Sequence, residues 1–182
     1  MELYVVRHGQ TDYNRKNLFQ GHKDIPLNNV GIQQAQQIAL EMSNIKFDKI
    51  LVSPLKRAIQ TAEYIKEKVD VSIIIENSLI ERSFGNMEGK TNREDCNIQM
   101  MLDYKKNINK ENIEPIQTFF QRIYTFLDYI KEKYKNEKII LVTHGSVSQV
   151  IECYFNGLPE EPNYESLEKM TLKNGEIKKY SC

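Results

Sequence analysis

The sequence predicts an α/β fold: three layers, α/β/α, around a mostly parallel sheet. Two observations carry this. Strand-like runs alternate with helix-like segments along most of the chain. The strand-like runs are also near-continuous apolar stretches rather than apolar–polar alternations, as in Leu3-Tyr4-Val5-Val6, Ile50-Leu51-Val52 and Ile139-Ile140-Leu141-Val142. Strands of that kind belong in a sheet covered on both faces, and parallel crossovers through helices provide the cover. The 182 residues fit one domain, 1–182, and no linker, repeat or low-complexity tract divides them.

The elements follow in order. Leu3–Val6 is a buried strand halted by Arg7-His8-Gly9. Ile32, Ala35, Ile38, Ala39, Met42 and Ile45 recur at helical spacing, which predicts a helix over 31–45. Lys49–Val52 is the second strand. Ser53 is expected to cap, and Pro54 to open, a helix running to about Lys68. Val71–Ile75 is the third strand. A polar stretch from Phe84 to Asn112 is expected to hold one helical piece around Ile98–Tyr104. Pro115 opens a long helix with apolar positions Ile116, Phe119, Phe120, Ile123, Phe126, Leu127 and Ile130. Lys138–Val142 is the fourth strand, ending at Thr143-His144-Gly145, and a helix over 146–154 follows. In the tail, Asn174-Gly175 between Thr171-Leu172-Lys173 and Glu176-Ile177-Lys178 predicts a hairpin.

Composition narrows the function classes. Hydrophobic residues make up 40% and charged residues 27%, which is ordinary for a globular chain. The 25 Lys and Arg balance the 25 Asp and Glu, so charge leaves no footprint for nucleic acid or an anionic membrane, and neither is expected as a partner. No apolar run approaches the ~18 residues of a spanning helix. Met1-Glu2-Leu3-Tyr4 runs straight into a strand, so no signal peptide is expected. Cys96, Cys153 and Cys182 are odd in number and lack CxxC spacing, which supports neither a disulfide framework nor a zinc site. A cytoplasmic location is the expectation. Only six basic residues are Arg (Arg7, Arg15, Arg57, Arg82, Arg93 and Arg122), so an Arg inside a motif is informative here.

In open parallel sheets, ligands sit beyond the carboxyl ends of the strands. Four segments converge there: Arg7-His8-Gly9, Ser53-Pro54-Leu55-Lys56-Arg57, Glu81-Arg82-Ser83-Phe84-Gly85 and Thr143-His144-Gly145. They deliver two imidazoles, at least two guanidiniums and a carboxyl to one edge. Arg forks match a phosphate bidentately. His can take a phosphoryl group covalently, and a carboxyl can protonate the leaving oxygen. The rival phosphate loops GxxxxGK[ST] and GxGxxG are missing, as is HExxH. The set points to metal-free phosphoryl transfer through a phosphohistidine, with neither metal nor cofactor.

The motifs also resemble a family. Val6-Arg7-His8-Gly9-Gln10-Thr11-Asp12-Tyr13-Asn14 is similar to the signature of the histidine phosphatase superfamily, also called the phosphoglycerate-mutase-like family. Gln20-Gly21-His22-Lys23-Asp24-Ile25-Pro26-Leu27 with Gly31 and Gln34-Ala35 resembles its next block. Ser53–Ala62, then Glu81 with Phe84-Gly85 and Glu88-Gly89, then Val142–Gly145 resemble the later ones, in family order. Asn28 stands where the family usually has a Ser or Thr cap, and Ile113-Glu114-Pro115 where it often reads Gly-Glu-Ser.

The resemblance, closest to the phosphatase branch, implies roles. His8 would be the nucleophile. Arg7, Arg57 and His144 would clamp the phosphoryl oxygens. Glu81 would donate a proton and then activate water, with Glu88 its nearest rival. Asn14, Gln20, Gly21 and Gly145 would border the substrate. Arg7 and Arg57 would also keep His8 neutral, because adjacent cations disfavour imidazolium. His22 reads as a loop residue, and Lys90, Arg93, Lys105, Lys106 and Lys110 as a solvated face. The expected activity is a metal-independent phosphomonoesterase acting on a small phosphorylated metabolite, as a monomer or homodimer. The alternatives are a cofactor-dependent phosphoglycerate mutase and a binding protein that has lost turnover.

Overall fold

The structure is a computed structural model and describes residues 1–91, 103–110 and 112–181. Most of the helical piece expected over 98–104 lies outside the described residues, as do Arg93, Cys96 and Cys182.

Five strands form one sheet: β1 (Glu2–Arg7), β2 (Lys49–Val52), β3 (Ile73–Ile75), β4 (Lys138–Thr143) and β5 (Ile177–Ser181), in the order β3-β2-β4-β1-β5. The first four are parallel, and β5 runs antiparallel to β1. Among the described residues the helices are α1 (Asp12–Arg15), α2 (Asn29–Met42), α3 (Lys56–Val69), α4 (Ile116–Lys133), α5 (Gly145–Asn156) and α6 (Tyr164–Glu168).

The continuous apolar runs are explained by two cores, one on each face. Leu3, Val5, Leu51, Ile139 and Leu141 point to α4 and α5, where Phe119, Ile123, Leu127, Val147 and Val150 receive them. Val6, Ile50, Val52, Ile140 and Val142 point to α2 and α3. The inner residues of β1, β2 and β4 therefore need apolar side chains, whichever way they point. Truncating the fully buried Leu141 to Ala would cost about 2–5 kcal/mol.

Three expectations are corrected. Helix α3 begins at Lys56, not at Pro54, and Ser53 is not its cap. The Asp24 carboxylate accepts the Lys56 N–H at 2.7 Å from a neighbouring loop, and the buried Ser53 hydroxyl is engaged by His144 instead. The third strand is Ile73–Ile75, two residues shorter than expected, at the sheet edge. The tail hairpin does not form. Asn174-Gly175 does turn the chain, with the Glu176 N–H on the Lys173 carbonyl at 3.1 Å. But the Leu172 carbonyl accepts from Arg7 Nη1 at 2.6 Å and the Leu172 N–H donates to Ser148 Oγ at 3.1 Å, so the backbone groups at the centre of this stretch are engaged elsewhere. The strand after the turn pairs with β1 instead. Among the described residues, no helix is long and apolar enough to cross a membrane.

Candidate active site

His8 follows β1 directly and is 2% exposed. Its backbone N–H donates to the Thr143 carbonyl of β4 at 2.9 Å, which ties the first and last parallel strand ends together. Its Nδ1 lies 2.7 Å from the Gly9 carbonyl. A carbonyl only accepts, so Nδ1 carries the hydrogen and Nε2 carries the lone pair. Gly9 is obligatory here, since a Cβ would come within 2.3 Å of the Gly31 carbonyl of α2. Burial first, then Arg57 and Arg7, hold the His8 imidazole well below its ordinary pKa, and so neutral.

Arg57 lies in the first turn of α3 and is 1% exposed. Its Nη1 and Nη2 donate to the Lys23 and Gly21 carbonyls at 2.8 and 2.9 Å. Its Nε donates to His144 Nδ1 at 3.2 Å, and His144 Nε2 then donates to Ser53 Oγ at 2.6 Å. Burial pulls the Arg57 guanidinium down to about 10, still charged at neutral pH. The His144 ring lies 5.2 Å from that of His8, edge to face. Because protein groups take both of its nitrogens, His144 orients Arg57 in this state. Direct contact with a phosphoryl oxygen requires Arg57 Nε to let go of Nδ1.

Arg7 ends β1. Its Nη1 is fixed by the Leu172 carbonyl, while its buried Nε has no hydrogen-bond partner among the described residues. An unmatched buried donor costs about 1–3 kcal/mol, a deficit that an anion removes. Gly145 opens α5 against this side chain, and a Cβ there would stand 3.0 Å from Arg7 Cζ.

Glu81 is nearly buried. Its Oε1 accepts the Arg82 N–H at 2.9 Å and its Oε2 the Ser146 N–H at 3.3 Å. Its rival Glu88 is a loop brace: its Oε1 accepts the His22 and Phe84 N–H groups at 2.9 and 3.1 Å and fills the space where a Gly21 side chain would be. Glu81, Arg7, Asn14, Gln20, Gly21 and Gly145 all line one cavity of about 290 Å³, and Glu88 does not. His8, Arg57 and His144 are buried behind that lining rather than part of it. Asn14 Oδ1 accepts from the Thr11 N–H (3.1 Å) and Asn174 Nδ2 (3.3 Å), which leaves the Asn14 amide nitrogen as the group free to serve a ligand. The Thr11 hydroxyl lies 2.8 Å from Gln20 Oε1 and orients that amide in the same way. Lys90, Lys105, Lys106 and Lys110 are exposed and do not line the cavity, in keeping with a solvated face.

Six residues lining the cavity and three buried behind them, from six separated segments, thus form one anion-seeking site beyond the parallel strand ends. A family model for the histidine phosphatase superfamily (branch 1) matches residues 3–180. The chain belongs to that superfamily. It is an enzyme, a hydrolase of phosphate monoesters with the phosphoglycerate mutase-like fold. It is 33% identical over 173 residues to the uncharacterized phosphatase PhoE of Bacillus subtilis, covering 95% of this chain and 86% of that one. It is 35% identical over 154 residues to phosphoglycerate mutase-like protein 4 of Arabidopsis thaliana, covering 80% of this chain and 67% of the relative. The crystal structure of the α-ribazole phosphatase from Shigella flexneri superposes with a TM-score of 0.82 at 27% identity, over 98% of this chain and 89% of that one.

This histidine phosphatase also holds functional neighbours that the motifs did not single out. Ser53 and Thr61 anchor His144 and the Gly9 N–H. His22 is exposed, as a loop residue should be, yet its Nε2 lies 2.8 Å from the Glu81 carbonyl. Arg82 lines the cavity, with its Nε on the Glu114 carbonyl at 2.8 Å. The Glu114 carboxylate is itself gripped by Arg122 at 3.1 and 2.9 Å, which occupies it away from the substrate. Scarcity was the available signal for these two, since both belong to the six arginines of the chain. Glu168, Gln149 and Asn174 line the cavity from the C-terminal third and carried no signal beyond a turn at Asn174.

Proposed function

We propose that this histidine phosphatase hydrolyses a small phosphorylated metabolite, without a metal ion, through a phosphohistidine on Nε2 of His8. The observation that carries the proposal is the Nδ1–H of His8 held on the Gly9 carbonyl, in a site where the buried Nε of Arg7 has no hydrogen-bond partner among the described residues: a nucleophile of fixed tautomer together with a donor able to serve a phosphoryl oxygen.

The steps follow from this arrangement. The phosphoryl oxygens take the Arg7 Nε–H and the remaining hydrogens of Arg57. Arg57 Nε turns from His144 to the ligand, and His144, as the neutral tautomer with its hydrogen on Nδ1 and its Nε2 accepting from the Ser53 hydroxyl, adds a third contact. His8 Nε2 attacks phosphorus in line as the ester P–O bond breaks, which is mostly positioning and charge stabilisation. Glu81 gives its proton to the leaving oxygen. Glu81, now a carboxylate, takes a proton from water; the water oxygen bonds to phosphorus, the P–N bond breaks and neutral His8 returns. The cavity of about 290 Å³ suits a small substrate, being at the low end of ligand pockets.

The test is release of phosphate from an aryl phosphate in excess chelator. His8→Ala should remove turnover by several orders of magnitude. Labelled enzyme quenched in alkali should keep its label, and enzyme quenched in acid should lose it, as phosphoramidates do. A label stable to acid and lost in alkali would mean a carboxyl or hydroxyl nucleophile and would overturn the proposal.

A further inference from the structure

We propose that Arg122, which does not line the cavity, is the positioning residue for Glu81 and so governs how well the enzyme expels a poor leaving oxygen. The inference rests on the reading of Glu81 as the proton donor. Glu81 follows a single 3₁₀ turn, Asn77–Leu79, and belongs to no helix or strand. No ladder of backbone hydrogen bonds sets its place, so the carbonyls around it take side-chain partners instead. They do so at successive positions from 78 to 81. Arg122 Nη1 donates to the Ser78 carbonyl at 2.8 Å and to the Ile80 carbonyl at 2.9 Å. Between them the Leu79 carbonyl accepts from the Thr143 hydroxyl at 2.9 Å, and after them the Glu81 carbonyl accepts from His22 Nε2 at 2.8 Å.

The Ile80 carbonyl and the Glu81 N–H share one rigid peptide plane, and the Glu81 carbonyl belongs to the next. Arg122 holds the first plane and His22 the second. Together they fix the backbone torsions of Glu81, and hence the direction in which its side chain leaves the chain. The rest of the guanidinium is locked as well: Nε and Nη2 form a fork on the Glu114 carboxylate at 3.1 and 2.9 Å. Both side chains are largely buried. Glu114 in turn pairs with the residues just past the acid. Its N–H donates to the Ser83 carbonyl at 3.0 Å, and its carbonyl accepts from Arg82 Nε at 2.8 Å. One side chain thus braces the backbone before Glu81 directly and the backbone after it through Glu114. Lys cannot stand in, because the fork and both carbonyls need a planar array of donors that an ammonium lacks. A proton donor must stand within ~2.6–3.2 Å of the oxygen it serves, and a displacement of about 1 Å costs about 10²-fold.

Leaving-group dependence reads this directly, since p-nitrophenolate departs without a proton and the alkoxide of glycerol does not. Arg122→Lys should lower kcat/KM for glycerol 3-phosphate by about 10–10²-fold, and for p-nitrophenyl phosphate by less than about threefold. Added to Glu81→Gln, it should cost glycerol 3-phosphate less than about threefold more, because a residue that acts through Glu81 has nothing left to lose. Glu114→Gln keeps the backbone pairing and weakens the fork. It should show the same selectivity at about threefold to tenfold, and it carries the test if Arg122→Lys does not fold. No loss, an equal loss on both substrates, or a loss that multiplies with that of Glu81→Gln marks Arg122 as merely structural and overturns the inference. Glu81→Gln alone separates the two failures. If it spares the aryl phosphate and Arg122→Lys does not, only the positioning claim falls. If Glu81→Gln slows both substrates alike, the reading of Glu81 falls and the positioning claim with it.

Discussion

Acidification should destabilise this protein through its two buried imidazoles. His8 and His144 are essentially inaccessible, and burial, together with Arg57 and Arg7, holds both well below the ordinary histidine pKa of 6.5. The folded state therefore binds fewer protons than the unfolded chain. Stability from these groups is fully present above about pH 7 and is lost progressively as pH falls below 6.5, until the folded values are passed. Between pH 7 and pH 5 each imidazole kept neutral by folding costs about 2 kcal/mol, so the pair costs about 4 kcal/mol. That is a large part of the ~5–15 kcal/mol that holds a typical domain together.

Urea unfolding at both pH values, in a buffer without phosphate, measures the loss; phosphate would bind the folded state and mask it. The comparison is with His8→Asn/His144→Asn, in which every other titrating group is retained. The wild type should lose about 4 kcal/mol more than the variant across this interval, and either single variant should recover about half of the difference. An excess loss below about 1 kcal/mol would mean that the folded imidazoles take up protons as readily as the unfolded ones, and that the neutral form of His8 is not built into the fold.

Two further outcomes are expected. Glu81→Gln should slow alkyl phosphates by about 10²–10⁴-fold and p-nitrophenyl phosphate far less, because only a poor leaving oxygen needs the proton; equal losses would make Glu81 structural, and a selective loss in Glu88→Gln would name the wrong acid. Phosphate release should also exceed interconversion of 3- and 2-phosphoglycerate by a wide margin, even after priming with 2,3-bisphosphoglycerate. The segment 89–114 contains one Arg and no Arg-Arg pair, and Lys105-Lys106 cannot reproduce a bidentate fork; faster interconversion by primed enzyme would instead establish a mutase.

The parallel strands were legible because burial on both faces demands uninterrupted apolar runs, which no helix-period pattern mimics. The residues at the strand ends were legible because Arg-His-Gly and Thr-His-Gly each follow such a run. What escaped was local hydrogen bonding that overrides pattern. Helices α1 and α6 have four and five residues and exist through capping boxes at Thr11 and Asn163, too short for any periodicity to register. Ser53 has the look of a cap in sequence, but a buried histidine engages its hydroxyl. Asn174-Gly175 turned as its composition demands, yet the pairing strand ahead of it was claimed by a guanidinium from the far end of the chain. Glu168 was invisible because nothing in sequence says which surface acid folds over a cavity.

The grip of the C-terminal turn on β1 sets an order of events during synthesis. Arg7 and His8 offer their carbonyls to the Gly175 N–H at 3.2 and 3.3 Å, the Arg7 N–H reaches the Glu176 carbonyl, and Asn174 Nδ2 holds the His8 carbonyl at 3.1 Å. On its other side β1 pairs with β4, more than 130 residues later in the chain. β1, made before either of its pairing partners, must therefore wait for both, bearing an apolar edge with nothing to cover it. Closing such long loops is slow, and it leaves that edge exposed to aggregation in the interval. β2 and β3 pair across a single helical crossover and can associate early, but without β1 the proposed nucleophile, His8, has no place. The site around His8 is thus completed late, when residues near 176 are free to fold back onto β1.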